Sequence, residues 1–286
     1  MSAGGRPPLR VLIGQILTLS AAVLLGTAVA LVLLGALRHQ RTQTLAEGRL
    51  RLALAEGTAP VSQLAPDGAP LDPGTPVAVL VIPSIDLREV VFEGTAGQVL
   101  TDGPGHRRDT VLPGQAGVSV LMGRRAGYGG PFARVPDLRV DAEITVTTGQ
   151  GVHRYVVTGV RHAGDPQPEP ADPGTGTLIL TTADGLPYFP DDVVRVDAKL
   201  TTPVMPTPGR AFGVSALPAG ELAMAAGDDV VPLVFWLQLL VALGCGVVYV
   251  RLRLGAWHAW LVGVPTLAVA GLGAADAALS LLPNLL

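Results

Sequence analysis

Three long apolar stretches with almost no charged side chains limit the architectures available to this 286-residue chain. Residues 11–37 and 231–250 contain no charged side chain, and residues 258–282 contain Asp276 as their only acid. A helix of about 20 apolar residues is long enough to cross the hydrocarbon core of a bilayer. We therefore predict one N-terminal and two C-terminal transmembrane helices over these ranges, and a multi-pass protein of the cell membrane.

The flanks of these stretches predict how the chain crosses the membrane. A cleavable secretory signal has an apolar region of roughly 7–15 residues and a small-residue cleavage site, whereas the first stretch is longer and runs directly into Arg38. It is therefore predicted to be an uncleaved anchor. Arginines favour the cytoplasmic side, which places residues 1–10 and a short turn at 251–257 in the cytoplasm, although Arg38 then lies on the outer side.

Composition narrows the partners and cofactors. Charged residues make up 15% of the chain and the formal net charge is −3, without a strongly basic block. A nucleic-acid-binding protein would carry a basic patch. The single cysteine, Cys245, excludes an intrachain disulfide framework and a multi-cysteine metal site. We predict the lipid bilayer as a partner, and we predict no nucleic acid, no metal and no cofactor.

Between the membrane segments, the pattern changes to short runs of β-favouring residues. From residue 77 to residue 200, Gly, Pro and Asp turns separate these runs, which is typical of an all-β barrel or sandwich. A Gly-Gln-Gly sequence at 149–151 between two such runs indicates a hairpin. The flanking stretches are predicted to be a juxtamembrane segment with a linker at 38–76 and a Pro-rich tether at 201–230.

Several short motifs in the domain at 77–200 occur in the order and spacing of a known family. They are Ile82-Pro83-Ser84-Ile85-Asp86-Leu87, Gly103-Pro104-Gly105-His106, the run at 117–123, and Thr177-Leu178-Ile179-Leu180-Thr181-Thr182. In these motifs the chain resembles the sortase family, in particular its actinobacterial class E/F type. The resemblance implies a mainly β fold: a sortase-like eight-stranded β-barrel outside the cell, joined here to transmembrane α-helices.

The resemblance also identifies the positions of the family's catalytic residues. Sortases are cysteine transpeptidases: a thiolate attacks the Thr carbonyl of a Leu-Pro-x-Thr-Gly-like sorting signal, a histidine transfers protons, and an arginine stabilises the oxyanion. The flanking motifs put Arg124 at the histidine position, Ala183 at the nucleophile position and Val193 at the arginine position. A one-residue slip would move the last of these to Asp192. We therefore expect no intact catalytic residue and an inactive sortase homologue, since Cys245 lies in a predicted membrane span.

Charged residues next to these positions are candidates for binding in the former catalytic groove. They are Arg124, Arg125, Asp184 and Arg195. Arg195 lies two residues after Val193, so it faces the same side of the strand. We expect Arg124 or Arg125 to form an ion pair with Asp184 across the vacated site.

These features lead to the hypothesis of a binding or scaffolding protein in cell-envelope or surface-protein assembly. Its partner would be an active sortase, a sorting-signal substrate or a subunit of an envelope complex. Two alternatives stay open: a structural subunit of a membrane complex whose groove binds nothing, and a hydrolase with a rebuilt hydroxyl-nucleophile site.

The structure can distinguish these hypotheses. A groove closed to an extended peptide favours the structural subunit, and an open groove lined by the candidate arginines favours binding of an acidic tail. A Ser or Thr hydroxyl within about 3.5 Å of a histidine favours the hydrolase. Of the histidines in the domain, we expect His106 to be structural, and His153 and His162 to lie at the surface.

Overall fold

The computed structural model describes residues 35–286 except 66, 167–171, 173, 210, 214–215 and 228. The predicted cytoplasmic segment at 1–10 lies outside the described residues, as does the predicted membrane helix at 11–37 apart from its last three residues. The chain divides into two compact units. Residues 35–227 together with 282–286 form the barrel unit, and residues 228–281 belong to the other.

The barrel unit contains eight strands that form a closed barrel. The strands are β1 (Pro76–Ile82), β2 (Leu87–Glu93), β3 (Gly105–His106), β4 (Gly117–Met122), β5 (Glu143–Thr148), β6 (Gly151–Arg161), β7 (Gly176–Leu186) and β8 (Phe189–Leu200). Around the barrel they follow the order β1-β2-β3-β4-β7-β8-β6-β5. The predicted eight-stranded, mainly β fold is confirmed.

Helical segments connect and flank the strands. Helix α1 covers residues 35–56 and helix α2 covers Gly97–Leu100, while short 3-10 helices lie at Pro83–Ile85, Val135–Asp137 and Ala219–Glu221. Helix α1 packs its buried Ala46 and Leu50 on Val79, Val90 and Phe92 of β1 and β2. The juxtamembrane stretch is therefore held on the outside of the barrel over this part of its length.

Alternation along the strands determines which side chains face outward. In β7, Leu178 and Leu180 lie in the main hydrophobic core of the barrel. Because successive side chains of a strand point to opposite faces, Thr181 and Ala183 face the outer surface. The fold therefore presents the end of β7, with its neighbours β4 and β8, as the floor of a surface site.

The second unit contains two long helices, α3 (Val231–Leu254) and α4 (Ala256–Ser280). Both are long and apolar enough to cross a membrane, over Val231–Arg251 and Ala256–Ser280. This confirms the two predicted C-terminal apolar helices. Helix α3 continues past the predicted end at residue 250, so Arg251 and Arg253 lie in its last turn and only Gly255 separates the helices. Gly255 has a φ of 95°, which a glycine adopts without strain.

Candidate functional site

The floor of the candidate site is formed by the outer faces of three adjacent strands. Strands β4 and β7 run parallel with Met122 beside Thr181, and β7 pairs antiparallel with β8 so that Ala183 lies opposite Val193. Ala183 is 1% exposed and Val193 is 6% exposed. The two positions predicted from the family motifs are therefore direct neighbours, and both are covered.

Arg124, the third predicted position, extends from the end of β4 over this floor. Its Nη1 donates a hydrogen bond to the backbone oxygen of Leu286 at 2.8 Å, and its Nη2 donates to the backbone oxygen of Gly97 at 3.0 Å. The guanidinium also lies 5.1 Å from the centre of the Tyr128 ring. Burial lowers the pKa of Arg124, but an arginine stays protonated near neutral pH. Arg124 therefore acts as a hydrogen-bond donor at this site and not as a base.

The floor is covered by residues 282–286 of the same chain, which the sequence analysis did not predict. Leu285 and Leu286 are 0% and 3% exposed and pack in one cluster with Met122, Ala183 and Val193. A turn closed by a hydrogen bond from the Leu286 nitrogen to the Pro283 oxygen (3.1 Å) shapes the segment. The only related signal in the sequence was that the apolar residues continue past the predicted helix end at 282.

Asn284 fixes the C-terminal segment to two neighbouring loops. Its Nδ2 donates hydrogen bonds to the backbone oxygens of Thr95 (3.0 Å) and Leu222 (2.9 Å). Its backbone nitrogen donates to the oxygen of Ala225 at 2.9 Å. The stretch after β8 is attached here as well, since the Thr95 hydroxyl donates to the oxygen of Glu221 at 2.7 Å. The cover over the floor therefore consists of two chain segments.

The predicted ion pair is present between Arg125 and Asp184. Arg125 Nη1 lies 3.7 Å from Asp184 Oδ1 and donates a hydrogen bond to the backbone oxygen of Ala183 at 2.8 Å. His162 Nδ1 lies 2.6 Å from the other carboxylate oxygen, and this hydrogen bond is the main reason that the pKa of Asp184 lies below its ordinary value. Arg195 is half-buried on β8.

Two histidines lie within hydrogen-bond distance of a threonine hydroxyl. Thr148 Oγ1 is 3.0 Å from His153 Nε2, and Thr110 Oγ1 is 3.3 Å from His106 Nε2. The expectation that His153 lies at the surface is wrong: it is 2% exposed, and burial lowers its pKa. It is buried because it shares the inward face of β6 with Tyr155, where the loop at Gly114 covers its ring. A substrate has no access to either pair, whereas His162 is exposed as expected.

His106 is completely buried and bonded at both ring nitrogens. Nδ1 lies 2.9 Å from Glu93 Oε2, and Nε2 lies 2.9 Å from the backbone oxygen of Val111. Both partners are hydrogen-bond acceptors, so the arrangement favours the doubly protonated ring. Burial alone would lower the pKa of His106, but the Glu93 carboxylate outweighs it and the pKa is raised.

Within the described part of the chain, no group of three His, Cys, Asp or Glu side chains is arranged to hold a metal ion. The thiol of Cys245 is exposed on helix α3. At the floor, arginine nitrogens and apolar side chains are the groups that contact residues 282–286.

Comparison with known proteins agrees with this architecture. The family model for the sortase domain matches residues 80–200. No curated protein matches the chain. Among solved structures, sortase E from Streptomyces avermitilis is 32% identical, with 46% of this chain and 91% of that chain covered and a TM-score of 0.40.

Two further structures are similar at lower identity. Sortase E1 from Streptomyces coelicolor, solved with a tripeptide in the active site, is 26% identical over 45% of this chain and 90% of that chain, with a TM-score of 0.38. The sortase D5 transpeptidase of Clostridium perfringens is 20% identical over 57% and 99%, with a TM-score of 0.47. Because the family model covers nearly the whole barrel, residues 80–200 of this chain form a sortase domain.

Proposed function

We propose that this protein is a membrane-anchored sortase homologue without transpeptidase activity, which binds or scaffolds a peptide or protein partner during cell-envelope assembly. The observation that carries the proposal is Ala183, which occupies the outward position at the end of β7 beside Val193. An alanine side chain carries no nucleophile. Arg124 carries no basic lone pair near neutral pH, and the only thiol of the chain is on a helix of the other unit.

The membrane topology that we propose has the barrel outside the cytoplasm. Both ends of the α3–α4 hairpin are joined to the barrel unit, at residue 227 and at residue 282. A pair of spanning helices returns the chain to the side from which it left, so this connection supports two crossings. With an N-terminal anchor at 11–37, the residues 1–10 and the arginines of the hairpin turn lie on the cytoplasmic side.

The absence of transpeptidation is tested with the full-length protein in lipid nanodiscs. A quenched fluorescent peptide that contains a Leu-Pro-x-Thr-Gly-like signal is supplied with an amine acceptor, and an active class E sortase serves as the positive control. We expect neither cleavage nor an acyl-enzyme adduct by mass spectrometry. Turnover by the native protein would contradict the proposal, and turnover that survives in Cys245→Ser would show that the nucleophile is not this thiol.

The partner is sought by cross-linking the full-length protein in its native membrane and identifying the products by mass spectrometry. Recovery of an active sortase, a sorting-signal protein or an envelope complex supports the binding role. One observation favours the second candidate, a structural subunit: the floor is covered by the chain's own residues, which closes it to an extended peptide. Recovery of a membrane complex whose assembly is unaffected by substitutions in the floor would favour this alternative.

A further inference from the structure

The covered floor shows features of a binding site that already holds a ligand. Its apolar part consists of Leu100, Val120, Met122, Ala183 and Val193, and these side chains form one cluster with Leu285 and Leu286. Without the C-terminal segment, outward-facing apolar side chains of three strands would meet water. Apolar surface that is removed from water stabilises the covered form in proportion to its area. Burial of the two leucines therefore stabilises the segment on the floor.

Hydrogen bonds to the backbone of the segment give it a defined register. The Arg125 nitrogen donates to the Leu285 oxygen at 2.9 Å, and Arg124 Nη1 donates to the Leu286 oxygen at 2.8 Å. Gly127 permits this approach, since an added Cβ there would lie 3.3 Å from the Leu286 oxygen. Donors aimed at the backbone oxygens of successive residues recognise the peptide backbone and not one particular side chain.

The side chain of Asn284 adds selectivity to this recognition. Its amide nitrogen bonds to two backbone oxygens, at Thr95 and Leu222, so an aliphatic residue at this position would leave both without that donor. Pro283 precedes it and accepts the hydrogen bond that closes the turn. The bound motif is thus a compact turn of the form Leu-Pro-Asn-Leu-Leu.

The contacts of the segment are also incomplete. Among the described residues, Arg124 Nε and Asn284 Oδ1 are buried without a hydrogen-bond partner. A buried polar atom without a partner destabilises the state that buries it. Water would reach both atoms if the segment left the floor, so these atoms favour release and oppose the leucine contacts.

We propose that the floor is a binding site for an apolar, turn-forming Leu-Pro-Asn-Leu-Leu peptide, that residues 282–286 are its resident ligand, and that a peptide in trans binds only after this segment has left. The inference rests on the proposed function, since it names the ligand class and the regulation of the same groove. Covalent attachment gives the resident segment a high effective concentration, so a competitor must act when the segment is displaced.

A single-thiol experiment tests the cover. In full-length protein with Cys245→Ser, Val193→Cys puts a thiol under the segment, and cysteine is smaller than valine, so the change fits. We expect its reaction with a maleimide to be at least about tenfold slower than that of Val140→Cys, whose native side chain is 57% exposed. Leu285→Asp combined with Leu286→Asp places charges in an apolar site, which should displace the segment. We expect this double substitution to raise the labelling rate of Val193→Cys by about tenfold.

Two further variants keep the test interpretable. Leu52→Asp introduces the same charge at a site that is 59% exposed on α1, and it is expected to leave the labelling rate unchanged. Asn284→Ala removes two hydrogen bonds without adding charge and is expected to raise the rate severalfold. The proposal would be overturned if Val193→Cys were labelled at the same rate whether the segment is native, carries Asn284→Ala or carries the two Asp substitutions. The melting temperature of the barrel must be unchanged in all three proteins.

The peptide Leu-Leu-Pro-Asn-Leu-Leu, added to the doubly substituted protein, tests binding in trans. We expect it to slow the labelling of Val193→Cys again, while a peptide of the same composition in scrambled order does not. No protection at millimolar peptide would overturn the proposal. The labelling experiment needs neither turnover nor a partner. Transpeptidase activity would therefore refute the proposed function and leave the labelling result unaffected. An accessible Val193→Cys thiol in an inactive protein would refute only the inference about the cover.

Discussion

At the scale of single residues, the buried Glu93–His106 pair is the clearest source of pH-dependent stability. Both ring nitrogens of His106 meet acceptors, so the folded protein holds a proton that the unfolded chain releases more easily. The motif Gly-Pro-Gly-His at 103–106 was expected to be structural, and its full burial agrees with that role.

The raised pKa of His106 predicts that stability falls as the pH rises. A histidine with a folded pKa above its unfolded value of 6.5 contributes its full stabilisation below pH 6.5 and loses it as the pH passes through the folded pKa. We expect the free energy of unfolding, from urea titrations between pH 6 and pH 9, to decrease over this window. Glu93→Gln removes the charge that raises the pKa and should flatten the profile. Profiles of equal slope in both proteins would show that another group is responsible.

At the scale of elements, helix α1 is held on the barrel by side chains that periodicity alone did not identify. Gln43 fixes its position: Oε1 accepts a hydrogen bond from the Val90 nitrogen at 2.6 Å, and Nε2 donates to the Asp102 oxygen at 2.9 Å. Gly103 leaves the room for this, because a Cβ there would lie 2.2 Å from Gln43 Nε2. The helix is thus part of the folded barrel unit.

Leu50→Ala tests the docking of α1. The leucine is 2% exposed against the barrel, so its truncation leaves a cavity and is expected to cost about 2–5 kcal/mol of unfolding free energy. Chemical denaturation of the full-length protein in detergent measures the loss. Leu52→Ala, two residues away at a side chain that is 59% exposed, is the matched control and should change stability by less than about 0.5 kcal/mol. Equal effects of the two changes would mean that α1 does not pack on the barrel in solution.

The stretch after β8 is attached through a buried ion pair. Arg108 Nε donates to Glu221 Oε2 at 3.0 Å, its Nη2 bonds to the other oxygen, and its guanidinium lies 4.4 Å from the centre of the Phe212 ring. These contacts join a strand-connecting loop of the barrel to a segment more than a hundred residues further along the chain. They hold part of the cover near the candidate site.

Glu221→Gln is predicted to destabilise this attachment. Removing one charge leaves Arg108 buried without its counterion, which typically costs about 3–5 kcal/mol. Denaturation curves and the rate of proteolysis within 201–230 measure the effect, and faster cleavage is expected. Arg51→Gln removes an ion pair whose arginine is 70% exposed, for which at most about 1 kcal/mol is expected. A Glu221→Gln protein as stable and as resistant as the Arg51→Gln protein would contradict the attachment.

At the scale of the whole molecule, two apolar helices are joined to a sortase-like barrel. Small residues let the helices pack closely: a Cβ at Gly263 would lie 2.9 Å from Val247, and one at Gly273 would lie 2.4 Å from Trp236. Helix pairs in membranes commonly approach through such residues. A packed hairpin with one glycine between its helices is a unit that can cross a bilayer twice.

The proposed topology predicts which residues a membrane-impermeant maleimide can reach. In a Cys245→Ser background, Leu186→Cys on the barrel, where the native side chain is 70% exposed, should be labelled in intact protoplasts. Gly255→Cys, between the two membrane helices, should be labelled only after permeabilisation. Labelling of both residues in intact protoplasts would place the hairpin turn outside the cytoplasm and would contradict two crossings.

Patterns along the sequence were sufficient to predict the parts of this protein that depend on local structure. Runs of β-favouring residues between turn signals predicted an all-β domain, the resemblance to sortases predicted an eight-stranded barrel, and long apolar stretches predicted the two C-terminal apolar helices. The two-residue strand β3 has no recognisable pattern in the sequence, because two residues are too few to show a periodicity. The hairpin that extends β7 and β8 to Leu186 and Phe189 was not predicted, because Gly185, Pro187 and Pro190 at its tip are residues that favour a loop.

The composition of the candidate site depends on contacts between segments that are far apart in the sequence. The motifs singled out Arg124, Ala183 and Val193, and the fold brings these positions together. The hydrogen-bond acceptor of Arg124, the Leu286 oxygen, is 162 residues away in the sequence. No local pattern identifies Leu285 and Leu286 as groove residues. Their burial follows from a closed barrel whose outer apolar face must be covered, and the same closure buries His153. Contacts between distant segments depend on this geometry, which the order of side chains along one segment does not contain.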